Sequence, residues 1–240
     1  MCKNKVVVPV SILTPEWLEK RRGIFAELDK QLIQNVVNPS VGLTLEQLQF
    51  ITEHKNPFVD VGGLLANWRI FYRDEFNIEL GEVKVPEIRF GFDRLLVIAQ
   101  GLTIQRVYDK CEQCFQCWRW ADENFDKAVP INDRLSADGS YAIWVHDRVE
   151  ADEEHKNKSA AVISQAEVAG ITLLERLLFE LKYFRETGKH LDIASFTSCD
   201  GSRNTLGCVP FVRFHGGVVS VGWCSFNSAA DFLRARGVVC

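Results

Sequence analysis

Val209-Pro210-Phe211-Val212-Arg213-Phe214-His215-Gly216-Gly217-Val218-Val219-Ser220-Val221-Gly222-Trp223 sets two β-branched and aromatic runs around a turn. The pair of glycines between such runs is the signal of a β-hairpin. Alternation along the first run separates Val209 and Phe211 from Pro210, Val212 and Phe214. On the return run Val219, Val221 and Trp223 face one side, with Ser220, Gly222 and Cys224 on the other. Residues 225–232 read as loop, and Leu233-Arg234-Ala235-Arg236-Gly237-Val238-Val239 reads as a closing strand.

Working upstream, Leu95-Leu96-Val97-Ile98-Ala99 is a buried strand stopped at Gly101. Thr103 caps a helix expected to run to about Trp118. Tyr141-Ala142-Ile143-Trp144-Val145 is a second buried strand, entered through the turn Asp138-Gly139. Thr172-Leu173-Leu174-Glu175 opens the most regular helix, with Leu174, Leu177, Leu178, Leu181 and Phe184 on its buried side. Gly188 ends it. The order is strand, helix, strand, helix, then several antiparallel strands.

The first 80 residues read as helical. Thr14-Pro15 is a helix start, followed by Trp17, Ile24, Phe25, Leu28, Leu32, Ile33 and Val36 on one face. Thr44-Leu45-Glu46-Gln47 is a capping-box pattern, and Leu64, Leu65, Trp68, Phe71, Tyr72 and Phe76 form a third apolar stripe. The expected fold class is therefore α+β: a helical N-terminal region, 1–80, and an α+β domain, 81–240.

With 240 residues, 47% hydrophobic and 25% charged, the chain has the composition of a globular protein rather than a rod or a disordered tail. The net charge of −4 argues against a nucleic-acid partner. Apolar runs are too short for a membrane span, and the N-terminus lacks the pattern of a secretory leader. The expected location is the cytoplasm, with a phage particle as the alternative. In that setting the eight cysteines read as free thiols or metal ligands rather than disulfides.

Cys111, Cys114 and Cys117 supply three closely spaced thiols, as zinc and iron–sulfur sites require. On a helix they drift around the surface, so small buried side chains are the simpler reading. A metal- or thiol-dependent enzyme centred on these three, with His146 as helper, is the alternative function. The stretch from His146 and Asp147 to His155 offers acid–base groups, but it also reads as a solvated acidic turn. No nucleophile elbow, phosphate loop, zinc-protease helix or dinucleotide fingerprint occurs. No enzyme activity, metal or other cofactor is expected.

The tail carries an unusual bias. Lys, Glu, Gln and Met occur 40 times in residues 1–192 and not once in the last 48. At the upstream frequency such a blank has odds of about one in 100,000, and allowing for the scarcity of Lys and Glu in strands still leaves about one in a hundred. A codon mechanism accounts for it. Asn codons ending in a pyrimidine, mutated only at their adenines, reach fifteen amino acids but never Lys, Glu, Gln, Met or Trp. The tail lacks all five except for Trp223.

Gly201-Ser202-Arg203, Val209-Pro210 to Val212, Val221-Gly222-Trp223 and Leu233-Arg234-Ala235-Arg236 resemble the variable region of target proteins of diversity-generating retroelements. Gly91-Phe92-Asp93-Arg94-Leu95 and Gly170-Ile171-Thr172-Leu173-Leu174-Glu175-Arg176 resemble bacterial proteins of the same general kind. The resemblance implies a C-type lectin-like domain over 81–240, with a variable region at about 199–236 that binds a ligand on a fixed scaffold. Trp223, Arg234 and Arg236 are then expected in the scaffold. The presented set is expected to be Asn204, Leu206, Cys208, Phe211, Arg213, His215, Ser220, Gly222, Cys224, Phe226, Asn227, Ser228 and Phe232. Their mix of aromatic and small polar groups is that of a paratope, so the expected partner is a protein. With only Asp200 and Asp231 as acidic residues in 193–240, binding is expected to be calcium-independent. An enzyme of the formylglycine-generating class shares the fold and uses a cysteine pair; Cys199 and Cys208 would be that pair, and this alternative ranks last.

Overall fold

The computed structural model describes residues 23, 25–30, 59–89, 91–120 and 122–240. Packing divides the chain into two units, Met1–Phe58 and Val59–Cys240. In the first, Gly23 and residues 25–30 are helical. The start at Thr14-Pro15 and the capping box at Thr44 lie outside the described residues.

The second unit begins with helix α1, Val61–Phe76, capped by Asp60, whose side chain accepts from Gly63 N, and ended by Asn77 at φ 51°. This helix was expected within a separate N-terminal region ending at residue 80. Instead Trp68, Phe71, Tyr72 and Phe76 are buried in the common core. Trp68 Nε1 donates to Leu95 O at 3.1 Å and Tyr72 Oη to Val97 O at 2.6 Å, so the polar tips of buried rings are satisfied by the neighbouring strand. The boundary therefore moves back to Val59.

That strand, β1 (Arg94–Ile98), pairs antiparallel with β4 (Tyr141–Val145), and both are buried as their unbroken apolar runs demand. Between them lie α2 (Ile104–Cys114), β2 (Cys117–Arg119), α3 (Phe125–Ala128) and β3 (Ile131–Asn132). Thr103 caps α2 as expected, but the helix ends at Cys114 rather than near Trp118. Phe115 turns extended, and the chain joins a sheet edge, where period-two alternation from Cys117 to Trp120 fits better than a helical period.

After the short helix α4 (Ala160–Gln165), α5 (Leu173–Thr187) opens on a complete capping box, Thr172 with Glu175, and stops at Gly188 in the left-handed conformation. Ten consecutive residues of α5, Leu173 to Lys182, are buried, including four charged ones. The helix packs against α2, β1 and the hairpin.

The remaining strands are β5 (Phe196–Ser198), β6 (Ser202–Arg203), β7 (Val209–His215), β8 (Val218–Cys224) and β9 (Leu233–Ala235). The hairpin β7–β8 forms as read, with Phe211 opposite Gly222 and Val212 opposite Val221. The five-stranded sheet runs β2-β8-β7-β5-β9 and is mixed, because β2 joins β8 and β9 joins β5 in parallel. The expectation of purely antiparallel C-terminal strands is thus corrected: the chain reaches these edges by long connections, which permit parallel pairing. The closing strand is also shorter than read. After Ala235 the chain leaves this sheet, bridges Gly170 through Gly237, and pairs Val239 with Trp144 of β4.

Candidate functional site

One face of the five-stranded sheet is bound to the core. Val212, Val219 and Val221 are buried there, and Phe214 and Trp223 pack against them. Beneath β5 and β9 the inner side is ionic. Asp192 receives Arg176 on Oδ2 at 2.7 Å and Arg236 on Oδ1 at 2.7 Å. Arg176 also reaches Glu180 at 2.8 Å, while Arg236 donates to Thr197 Oγ1 and to the carbonyls of Arg148 and Val149. Two guanidinium groups and two carboxylates cancel, and each has hydrogen-bonded partners, the condition under which buried charges are tolerable. Burial alone would raise the Asp192 pKa, but Arg236 and Arg176 outweigh it and hold the carboxyl below the usual range. Arg236, expected in the scaffold, is a linchpin of this network. Arg234 pairs with Glu153, and Trp223 lies inward, opposite Pro210.

The opposite face carries what alternation sends outward. The Phe196 ring stacks on Phe211 at 5.3 Å and meets Phe232 at 4.6 Å. The Arg213 guanidinium lies 4.6 Å above the Phe196 ring, with its Nε lacking an acceptor. Trp118 sits on β2 in register with Ser220 and packs edge-on to Trp120, 6.1 Å away. Trp118 is 49% exposed, Trp120 71% and Phe232 50%. Large exposed rings gathered on one surface, beside the Arg213 guanidinium, suit stacking contacts with a ligand.

Of the presented set, the structure brings Phe211, Arg213 and Phe232 together on this face. Ser220 and Gly222 share the face but are buried in it, because the Phe211 ring lies on Gly222: a Cβ there would sit 2.5 Å from the Phe211 Cζ. Asn204, Leu206 and Cys208 occupy the loop before β7. Asn204 Oδ1 accepts from the N–H groups of Leu206 and Cys208, a turn-building role, and leaves Leu206 exposed. Cys224 donates to Val209 O, and burial pushes its thiol up to about 11. Phe226 lies under Arg203 at 4.8 Å; Asn227 and Ser228 follow in the same loop, at the same end of the hairpin as Leu206. His215 is exposed at the opposite end. The reading missed Trp118, Trp120 and Phe196. The alternation of Trp118 and Trp120 was a usable signal, hidden by running α2 on to about Trp118.

The thiol alternative fares differently. Cys111 is fully buried, its Sγ directed at Leu177 O, and burial holds its pKa well above normal. Cys117 is pushed up to about 12, again chiefly by burial. Reactive or metal-binding thiols need the reverse, an environment that favours the thiolate. Cys199 is likewise buried with a raised pKa. Among the described residues, the one trio of ligand-type side chains whose donor atoms lie within 4.8 Å of one another is His146, Asp152 and Glu154. No helix there is long and apolar enough to cross a membrane. Comparison with known family models, curated proteins and solved structures found no match for this chain.

Proposed function

We propose that this chain is a ligand-binding protein with a C-type lectin-like fold, whose outer sheet face and adjoining loops are diversified by adenine-directed retroelement mutagenesis to contact a protein ligand. The observation that carries the reading is the position of Trp223. It is the one residue after Asp192 outside the reach of adenine-mutated Asn codons, and it packs inward against the core. Supporting it, the tail sorts by strand alternation into an inner set, Val212, Val219, Val221 and Arg236, and an outer set of rings and an arginine. Replacing members of the outer set leaves the inner packing in place, which is what a rewritten binding face requires. The order of buried strand, helix, buried strand, long helix and hairpin, with β2, α3, β3 and α4 inserted between them, is compatible with that fold.

Sequencing the genomic locus tests this. The reading expects a reverse-transcriptase gene and a second copy of the terminal coding segment, differing from it only at adenines of the copy. The differences should fall at outer and loop codons such as those of Phe211, Arg213, Phe226 and Phe232, and never at Trp223. Absence of the copy, or mismatches at other bases and at the codons of Val212 and Val221, overturns it.

A further inference from the structure

Away from the sheet face, the chain leaves β4 at His146 and returns through a short 3-10 turn, Glu153–His155. Asp152 in this loop is buried, and its Oδ2 accepts from Gly237 N at 2.8 Å. Its Oδ1 lies 3.0 Å from His146 Nδ1. A carboxylate can only accept, so Nδ1 carries a proton, and in the neutral imidazole the Nε2 lone pair turns outward. Phe92 stacks on the ring at 4.1 Å and fixes its plane.

Facing Nε2, at 3.9 Å, is Glu154 Oε1. The other oxygen of Glu154 accepts from Arg148 at 2.7 Å, so Oε1 is the carboxylate oxygen turned toward the imidazole. Two lone-pair atoms thus confront each other at a distance too long for a hydrogen bond. Donors bound to one tetrahedral zinc ion lie about 3.4 Å apart, given metal–ligand bonds of about 2.1 Å. A movement of about half an ångström closes the gap. Asp152 and Glu154 are partly balanced by Arg148, and Arg89 and Glu167 also line the cleft. His146 and Glu154 both line a cleft of about 480 Å³, together with His155, whose Nδ1 has no hydrogen-bond partner.

We propose that His146 Nε2 and Glu154 Oε1 bind a divalent cation of the zinc class, with further coordination positions open to this cleft. Asp152 is the positioning residue: it sets the tautomer and aims the ring, as carboxylates behind metal-bound imidazoles do. One imidazole and one carboxylate select a borderline cation over calcium or magnesium, which prefer all-oxygen sites. The site stands independently of the proposed function of the sheet face.

Titration of the full chain with cobalt(II), followed by absorption, tests the site while separating it from the eight cysteines. Glu154 is well exposed, so Glu154→Gln keeps the fold, and the spectrum it loses relative to the parent belongs to this site. The expected difference is a visible ligand-field band without a thiolate charge-transfer band, with affinity reduced at least tenfold in Glu154→Gln and in His146→Gln. Asp152→Asn should lose about 10–100-fold, the usual effect of removing such a partner. Equal cobalt binding by the parent and Glu154→Gln overturns the proposal, as does a lost band of thiolate character or the absence of saturable binding.

Discussion

Asp200→Asn should stabilise the protein at neutral pH and do nothing in acid. Asp200 is 5% exposed, and one oxygen accepts from Ser198 Oγ while Oδ2 has no partner. Burial, with Asp133 adding to it, pushes the carboxyl up to about 6, against the pull of Ser198 and Arg203. The folded value therefore stands above the ordinary 3.8, so the folded state holds its proton more tightly than the unfolded chain does. Such a group lowers stability as pH rises from about 4 through about 6. The interval from 3.8 to about 6, at 1.36 kcal/mol for each pH unit, amounts to about 3 kcal/mol by pH 7.5, about half of that at pH 5, and almost nothing below pH 3.5. Asparagine keeps the shape and the acceptor for Ser198 but cannot ionise. At about 2–4 °C for each kcal/mol in a unit of this size, its Tm should exceed the parent's by about 6–12 °C at pH 7.5. The assay is thermal unfolding followed by circular dichroism for both proteins from pH 3.5 to 8. A Tm gap that does not change with pH, or an asparagine variant less stable at pH 7.5, would refute the reasoning.

Arg236→Ala leaves Asp192 half-paired in the interior and should cost about 3–5 kcal/mol in urea unfolding. Trp118→Ala and Phe232→Ala, on half-exposed rings, should each cost about 1 kcal/mol or less; equal losses for all three would contradict the division into scaffold and face. Asp192 titrates in the opposite sense to Asp200: its folded pKa lies below 3.8, so its stabilisation is complete above that value and lost as pH falls through the folded one. Acid unfolding of Asp192→Asn should accordingly show a flatter acid limb than the parent, and an unchanged limb counts against the network. Gly222→Ala needs the half-exposed Phe211 ring to swing aside and should cost about 1 kcal/mol, whereas Gly170→Ala drives a Cβ to 2.7 Å from that of Asp200, beside backbone that cannot give. Its loss should be about 3 kcal/mol, read from the same melts, and a reversed order would show that the close approach at Gly170 is not rigid.

Patterns confined to a few neighbours were legible: the hairpin around Gly216-Gly217, the strands at Leu95 and Tyr141, and the capping box at Thr172 all lie where their residues put them. The two parallel edges were not. Strands β2, β5 and β9 have three residues each, too few to show a period, and their pairing pays loop-closure entropy that only the finished sheet repays. Extending the helix to about Trp118 hid the strand at Cys117–Arg119, and with it the exposed Trp118 beside Trp120, from the candidate face. The ligand-type trio was hidden for a similar reason. His146 and Glu154 lie in one loop, yet Asp152 is held by Gly237, eighty-five residues on.

By itself, then, the sequence determined the α+β class, the hairpin with its two faces, and a tail of 48 residues without Lys, Glu, Gln or Met. Local propensity, side-chain alternation and composition are all short-range properties, so they survive without a fold. Only the tertiary structure decided which face is covered, that Arg236 and Arg176 share Asp192, and that Phe196 and Trp118 join Phe211 and Phe232 on the open side. Those outcomes depend on burial and on partners far away in the chain, and both exist only once the core has closed.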